Sequence, residues 1–395
     1  MTGGRDSSFD VIILGAGAAG LMCAMTAGAR GRRVLLLEHA DEAGKKILIS
    51  GGGRCNFTNL NCAPESFLSG NPHFCKSALA RYTQHDFIAL VDRHRVAWHE
   101  KTLGQLFCDG SARAVVAMLL AESAAAGVDL RLSHRITGVS HAGEFRVSTD
   151  RGGFAAPTLV LATGGLSIPK MGATGLAHEV ARRFGLPLTG IRPGLVPLTF
   201  SEADLTLMRP LSGVSLDCVV SCGAAAFREA ALLTHRGLSG PAILQISSYW
   251  REGTEIVLNL LPELDAGATL VDRKRARPRA EPGTVMAEIL PARLAAAFAA
   301  GLPKQRIGDL PDRVLAGLGD RLNRWRLAPS GSEGYRKAEV TLGGIATAAL
   351  SSRTMEAIAV PGLFAIGEAV DVTGWLGGYN FQWAWSSGHA AGSAV

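Results

Sequence analysis

Apolar and polar positions change period along this chain, and each change of period predicts an element. Val11-Ile12-Ile13-Leu14 is an unbroken apolar run, the pattern of a strand buried on both faces of a parallel sheet. It runs directly into Gly15-Ala-Gly17-Ala-Ala-Gly20, then an Ala-rich helical stretch, then Arg33-Val-Leu-Leu-Leu-Glu38. Strand, Gly-x-Gly-x-x-Gly, helix, strand and terminal acid in this order predict a dinucleotide-binding βαβ unit. Gly15 permits the tight turn, Gly17 lets backbone approach a pyrophosphate at the helix N-terminus, and Gly20 lets the helix pack closely. Glu38 can accept ribose hydroxyls and disfavours a phosphorylated ribose.

From Asn71 to Gly127 the spacing is helical, with Phe87–Val91 and Ala112–Leu120 as apolar faces and Ser111 placed to cap the second helix. Short alternating runs at Val128–Leu132, Ile136–Ser140, Phe145–Thr149 and Thr158–Leu161 predict strands, the last running into Ala162-Thr163-Gly164-Gly165. That ending suits the second backbone crossing of a two-dinucleotide-domain fold, and equally a simple turn. From Ile191 alternation interrupted by Pro193, Pro197 and Pro210 predicts a small antiparallel barrel, resuming at Tyr335–Leu342 after a helical stretch. The domain reading is therefore discontinuous: residues 1–190 and 345–395 bind the cofactor, 191–262 and 328–344 form a β-barrel, and 263–327 form a helical insertion.

Composition narrows the field. A chain of 395 residues exceeds one core, and its 47% apolar content is ample for burial. Seven cysteines without a CxxC pair indicate neither a disulfide framework nor a metal knuckle, so no metal is expected and the thiols read as reduced. Arg5-Asp6 and the glycines interrupt any signal-peptide pattern, no apolar run is long enough for a membrane span, and the expected location is cytoplasmic. The net charge of +6 is compatible with an anionic partner without specifying one. The basic run Asp272–Arg279 is of a kind more often a solvated segment than a nucleic-acid contact.

Two further stretches carry chemistry. Ser50-Gly-Gly-Gly-Arg-Cys-Asn-Phe-Thr-Asn59 places three glycines before polar groups that need defined partners, which marks close approach of the chain to something. Near the other end, Pro361-Gly-Leu-Phe-Ala-Ile-Gly367-Glu368 predicts a strand delivering an acid to the cofactor edge of the sheet, where it can bind a ribityl chain. Gly377-Gly378-Tyr379-Asn380 then turns into a final helix whose N-terminal dipole would stabilise a reduced, anionic flavin.

Over nearly its full length the chain resembles the BaiN/RdsA (YhiN-like) family of NAD(P)/FAD-dependent oxidoreductases. The match rests on Ser50–Asn59, Thr234-His-Arg-Gly-Leu-Ser-Gly-Pro241, Glu339-Val-Thr-Leu-Gly-Gly344, Thr354-Met-Glu356 and the Gly374–Gly388 block. Glu100–Ser111, with Leu103-Gly-Gln-Leu-Phe-Cys108, is similar to the ribosomal RNA dihydrouridine synthase branch. The resemblance implies an α/β, FAD-binding two-dinucleotide-domain (Rossmann-like) fold with inserted barrel and helical domains. FAD is expected against Gly15, Ala16, Gly17, Ala19, Gly20, Glu38, Lys46, Gly52, Gly53, Arg54, Cys55, Asn56, Ile136, Ala162, Thr163, Gly164, Gly367, Glu368, Gly378, Tyr379, Asn380 and Phe381.

No second Gly-x-Gly-x-x-Gly exists for a nicotinamide dinucleotide, so NAD(P)H is expected to dock transiently. The leading expectation is reduction of uridine in ribosomal RNA: NAD(P)H reduces FAD, hydride passes to uracil C6, and an acid protonates C5. A cysteine of near-normal pKa suits that acid, with Cys55 and Cys108 as catalytic candidates, a buried structural thiol as the alternative for each, and His235 and Tyr379 as fallback donors. Arg54 could hold a phosphate, the uracil carbonyl or the cofactor pyrophosphate. The rivals are a small-molecule flavoenzyme, either enone reductase or amine oxidase, and a non-enzymatic flavin-containing RNA-binding assembly factor.

Overall fold

A computed structural model describes residues 9–395, so Arg5 and Asp6 lie outside the described residues. The chain divides into two compact units, one ending at Arg192 and completed by Val340–Val395, the other Pro193–Glu339.

The first unit is built on a five-stranded parallel sheet in the order Leu363–Ala365, Thr158–Leu161, Val11–Leu14, Val34–Leu37, Asp129–Arg131. Ile12, Ile13, Leu14, Leu35 and Leu36 are all 0% exposed, which is why these strands are continuously apolar. Because the strands run in one direction, their C-terminal ends deliver Gly15, Glu38, Ala162 and Gly367 to a single edge. The helix Ala18–Ala29 packs along the final helix Tyr379–Gly392. A Cβ at Gly388 would stand 2.5 Å from the Ala19 carbonyl oxygen, so that crossing admits glycine alone.

The interval Asn71–Gly127 corrects the helical expectation. Helices Lys76–Arg81, Gln84–Arg93 and Arg113–Ala125 are present, but Trp98–Glu100 and Gln105–Cys108 form strands, the second pairing antiparallel with Asn56–Asn59. Periodicity on either side hid a segment too short to show its own. Ser111 accepts a hydrogen bond from the Arg113 N–H at 3.2 Å, but the residue at the cap position is Ala112 and the helix has no side-chain cap, which corrects the expectation.

In the second unit, the strands expected to form a small barrel form a seven-stranded antiparallel sheet, from Trp325–Leu327 at one end to Gly331–Ser332 at the other. The helices between residues 263 and 327 share one apolar cluster with it, in which Leu270, Met286, Phe298 and Leu315 join Val220, Leu258 and Trp325. The basic run ends the helix Ala266–Ala276, and its charges are largely committed within the unit. Arg273 and Arg277 pair with Glu288, and Lys274 reaches Asp312 at 2.8 Å and the Leu310 carbonyl at 2.6 Å. Among the described residues no helix is long and apolar enough to cross a membrane, and no cluster of three or more His, Cys, Asp or Glu could hold a metal ion.

Candidate active site

The glycine turn at the sheet edge has the form the sequence predicts. Gly15 adopts φ +102°, and the Ala162 N–H bonds the Leu14 carbonyl at 2.9 Å, bringing the two strand ends side by side. Gly17 is the N-cap of a 12-residue helix that has no side-chain cap and no acid in its first turn. No atom stands within 4 Å of a Cβ built on Gly17. An uncapped helix N-terminus facing open space leaves first-turn N–H groups and a positive dipole for an anion, the fit a dinucleotide pyrophosphate requires.

Glu38 lies beside this turn, 9% exposed. Its carboxylate accepts the Ala16 N–H at 2.8 Å, the Ala40 N–H at 2.9 Å and His39 Nδ1 at 2.8 Å. Burial opposes its charge, and the bonds from His39, Ala40 and Ala16 outweigh burial and hold its pKa below the ordinary carboxylate value. A carboxylate offers about four acceptor sites, so with three filled, both ribose hydroxyls fit only when exposed His39 lets go.

A second acid serves a different purpose. Glu368, expected at the ribityl chain, is tied to its own chain: Lys46 Nζ donates to it at 2.6 Å, the Ser167 hydroxyl at 2.9 Å and the Thr341 N–H at 2.9 Å. Lys46 also donates to Ser167 at 2.7 Å. Burial works against the Glu368 charge, but Lys46, Ser167 and Thr341 together lower its pKa. A Cβ at Gly165 would stand 2.4 Å from Thr341 Oγ1 and 2.8 Å from Glu368 Oε1, which explains the second glycine of Ala162-Thr163-Gly164-Gly165. Thr163 accepts the Ala177 N–H at 3.1 Å, so these residues anchor a helix start as well as lining the edge.

The glycine-rich loop and the final helix clasp each other. Gly51, Gly52 and Gly53 have φ of +56°, +67° and +85°, and Cys55 follows at +49°. Three consecutive left-handed positions explain the three glycines. Beyond them, Thr58 bonds Gln382 at 2.7 Å, Asn59 bonds the Gly377 carbonyl at 2.9 Å, and the Trp385 indole bonds the Phe57 carbonyl at 2.8 Å. Asn380 is a brace here: its side chain accepts the Gly374 N–H at 2.8 Å and donates to the Gly374 and Trp375 carbonyls at 2.9 and 3.2 Å. Asn56 meets Gln105 across the strand pair, Tyr379 packs edge-on to Phe67 and Trp375, and Phe381 stacks on Trp385.

Other expected residues fall in varied places. Arg54 is exposed and has no ion-pair partner among the described residues. Ile136 starts a strand of a separate antiparallel meander, just beyond His134, whose N–H bonds the Glu38 carbonyl at 2.8 Å. His235 is exposed in the second unit. Cys55 and Cys108 are neighbours through the Cys108 N–H bond to the Arg54 carbonyl at 3.0 Å, but they are 0% and 1% exposed. Burial pushes Cys55 up to about 12 against the Ser50 hydroxyl, and burial with Asp109 pushes Cys108 up to about 11. The near-normal thiol pKa expected for either is thereby corrected: both keep their protons firmly.

Sequence reasoning assigned no role to Ser167, Asp371 or His178. Asp371 is 7% exposed; burial raises its pKa against bonds from the Gly70 N–H and Thr189. His178 is 2% exposed, and burial lowers its pKa against the opposing pull of the Ala369 backbone. Only Thr341 had a signal, its place in the Glu339–Gly344 motif.

Comparison with known proteins follows this geometry. Residues 9–394 match the family model described as the HI0933-like protein Rossmann domain. The chain is 51% identical over 393 residues to the ribosomal RNA dihydrouridine synthase of Escherichia coli K12, covering 97% of this chain and 96% of that one. It is 42% identical to the Haemophilus influenzae protein of the same name, covering 97% and 98%. A crystal structure of 3-ketosteroid-Δ4-(5α)-dehydrogenase from Rhodococcus jostii RHA1 aligns with TM-score 0.50 and 15% identity over 99% of this chain and 98% of that one, a likeness of fold alone. The Rossmann-like α/β fold of FAD-binding type is borne out.

Proposed function

The chain belongs to the HI0933-like Rossmann-domain family, and from that premise we propose that this enzyme is an FAD-dependent, NAD(P)H-using oxidoreductase that reduces uridine to dihydrouridine in large-subunit ribosomal RNA. The observation that carries the cofactor is the uncapped helix at Gly17, open to solvent at the sheet edge where Glu38 stands. Full-length likeness to two ribosomal RNA dihydrouridine synthases supports the substrate. Bound FAD supplies the hydride, drawn from NAD(P)H docking transiently, that saturates the uracil C5=C6 bond. The helix N-terminus holds the pyrophosphate and Glu38 the ribose. Lys46 and Glu368 fix the edge between them, with the Gly378–Phe381 turn closing the far side.

Cys55 and Cys108 are the proposed proton source for C5; burial raises both thiols above the value that suits a general acid, so the role requires that they leave that burial. Both are enclosed, Cys55 behind the glycine loop and Cys108 at the end of its strand, so delivery requires the segment that carries the thiol to move. Mass-spectrometric mapping of ribosomal RNA from cells with and without the gene tests the reading, the expected result being a gain of about two mass units at one uridine. Equal masses would move the substrate to a small molecule. A Cys55→Ala/Cys108→Ala double variant that still restores the modification would remove the thiols from the mechanism.

A further inference from the structure

The hairpin between Trp98–Glu100 and Gln105–Cys108 ends in an unusual tip. Leu103 is 56% exposed and sits at φ +52°, in the left-handed region. For a residue with a Cβ that conformation costs roughly 1–2 kcal/mol, and an exposed leucine recovers nothing by burial. The tip is nevertheless fixed. The Lys101 N–H bonds the Gln105 carbonyl at 3.0 Å, the Gln105 N–H bonds the Thr102 carbonyl at 2.9 Å, and the Gly104 N–H bonds Glu100 Oε1 at 3.0 Å. The Leu60 N–H bonds the Gly104 carbonyl at 2.8 Å.

One carboxamide ties this tip to the candidate active site. Asn59 Nδ2 donates to the Leu103 carbonyl at 3.2 Å and to the Gly377 carbonyl at 2.9 Å, and Gly377 immediately precedes the turn into the final helix. Around the same hairpin the surface is aromatic and of mixed charge, with His99 paired to Asp109 at 2.6 Å and Glu100 exposed beside Lys101. Lys101 lies 5.4 Å over the Phe107 ring, His99 stacks on that ring at 6.3 Å, and exposed Arg54 has no acidic partner among the described residues.

Resting on the proposed reduction of uridine in RNA, we infer that Leu103 is the wedge that occupies the gap left in the RNA stack when the target uridine leaves it for the active site. Reduction at a pyrimidine C5=C6 bond needs the ring face, which stacking covers, so the base must come out at a cost of a few kcal/mol. An apolar side chain inserted between neighbouring bases offsets part of that cost. It must be exposed, rigid and beside the site, with a cation in reach of the phosphates; Leu103 meets the first three conditions, and Lys101 and Arg54 supply the last. Its backbone strain is the local cost of presenting the side chain outward.

The test compares Leu103→Gly and Leu103→Met on two substrates: folded ribosomal RNA from cells lacking the gene, and a short unstructured oligonucleotide carrying the same uridine. Glycine tolerates the left-handed backbone, so Leu103→Gly keeps the wild-type melting temperature and flavin absorbance. It should lower kcat/KM on folded RNA at least about tenfold and on the oligonucleotide by less than about threefold, with Leu103→Met restoring most of the loss. Equal effects on both substrates, or no loss on folded RNA, would overturn the wedge. Wild-type protein that reduces uridine in neither substrate would overturn the proposed function itself, and the wedge with it.

Discussion

The two glycine-rich loops of the first unit solve different problems. In the Gly15–Gly20 turn, Gly20 is required because a Cβ there would stand 1.9 Å from the Gly15 carbonyl oxygen, five residues away. The Gly51–Gly53 loop has open space around Gly52, with no atom within 4 Å of a Cβ, and depends on residues at the far end of the chain to stay in place. Steric exclusion decides Gly20, and backbone handedness alone decides Gly52. Gly20 is therefore intolerant of a single methyl group and Gly52 is not.

The sharpest way to break this contrast is to make the same substitution in both. Gly20→Ala should cost about 3 kcal/mol or more, since backbone meets backbone and neither side can yield, and the purified protein should lose its flavin absorbance. Gly52→Ala carries only the left-handed penalty, about 1 kcal/mol, and should keep its flavin. Thermal unfolding and the visible spectrum of the two variants decide the matter. Similar losses in both would mean that crowding does not separate the loops.

That contrast also marks what the sequence could disclose. The Gly15–Gly20 turn, its flanking strands and Glu38 were legible because the strand, glycine turn, helix and acid follow one another within one βαβ unit. The clasp was not, because nothing in Phe57-Thr58-Asn59 announces Trp385, Gln382 and Gly377 as partners. The Trp98–Glu100 and Gln105–Cys108 strands were hidden for a related reason: they exist by pairing with Asn56–Asn59 rather than by their own periodicity. Asn380 and Glu368 were located correctly along the chain, yet their hydrogen bonds go to their own protein, a distinction residue type does not carry.

Lys46→Met tests whether Glu368 is a brace. Lys46 is 38% exposed and Glu368 20%, so solvent screening reduces the value of the pair, and the expected loss at neutral pH is about 1–2 kcal/mol. The sign with pH follows from the lowered Glu368 pKa. In the wild type its contribution is present above the ordinary glutamate value of 4.5 and is lost as pH falls through the folded value. Without Lys46, burial dominates and raises that pKa, so the charged form becomes the liability. The stability gap between variant and wild type should therefore be widest near neutrality and close in acid. A gap that stays constant with pH would show that the lysine acts through packing.

The smallest effect expected is at His39, where the first loop meets its own regulator. Hydrogen bonding to Glu38 raises the His39 pKa above its ordinary 6.5, with burial and Lys45 opposing. The raised value means that the stability drawn from this pair is full below 6.5 and fades as pH rises through the folded pKa. Ribose binding should run the other way. While protonated, His39 holds one of the acceptor sites of Glu38 that a ribose hydroxyl needs, and it yields that site on losing its proton. FAD affinity in the wild type should then rise by no more than about threefold across the histidine range, since the imidazole is partly exposed and the pair is screened. His39→Ala should bind FAD with an affinity that is flat over the same range and equal to the wild-type limit at high pH. Fluorescence titration of flavin into the stripped protein measures both curves, and parallel slopes would mean that Glu38 binds ribose without competition from its neighbour.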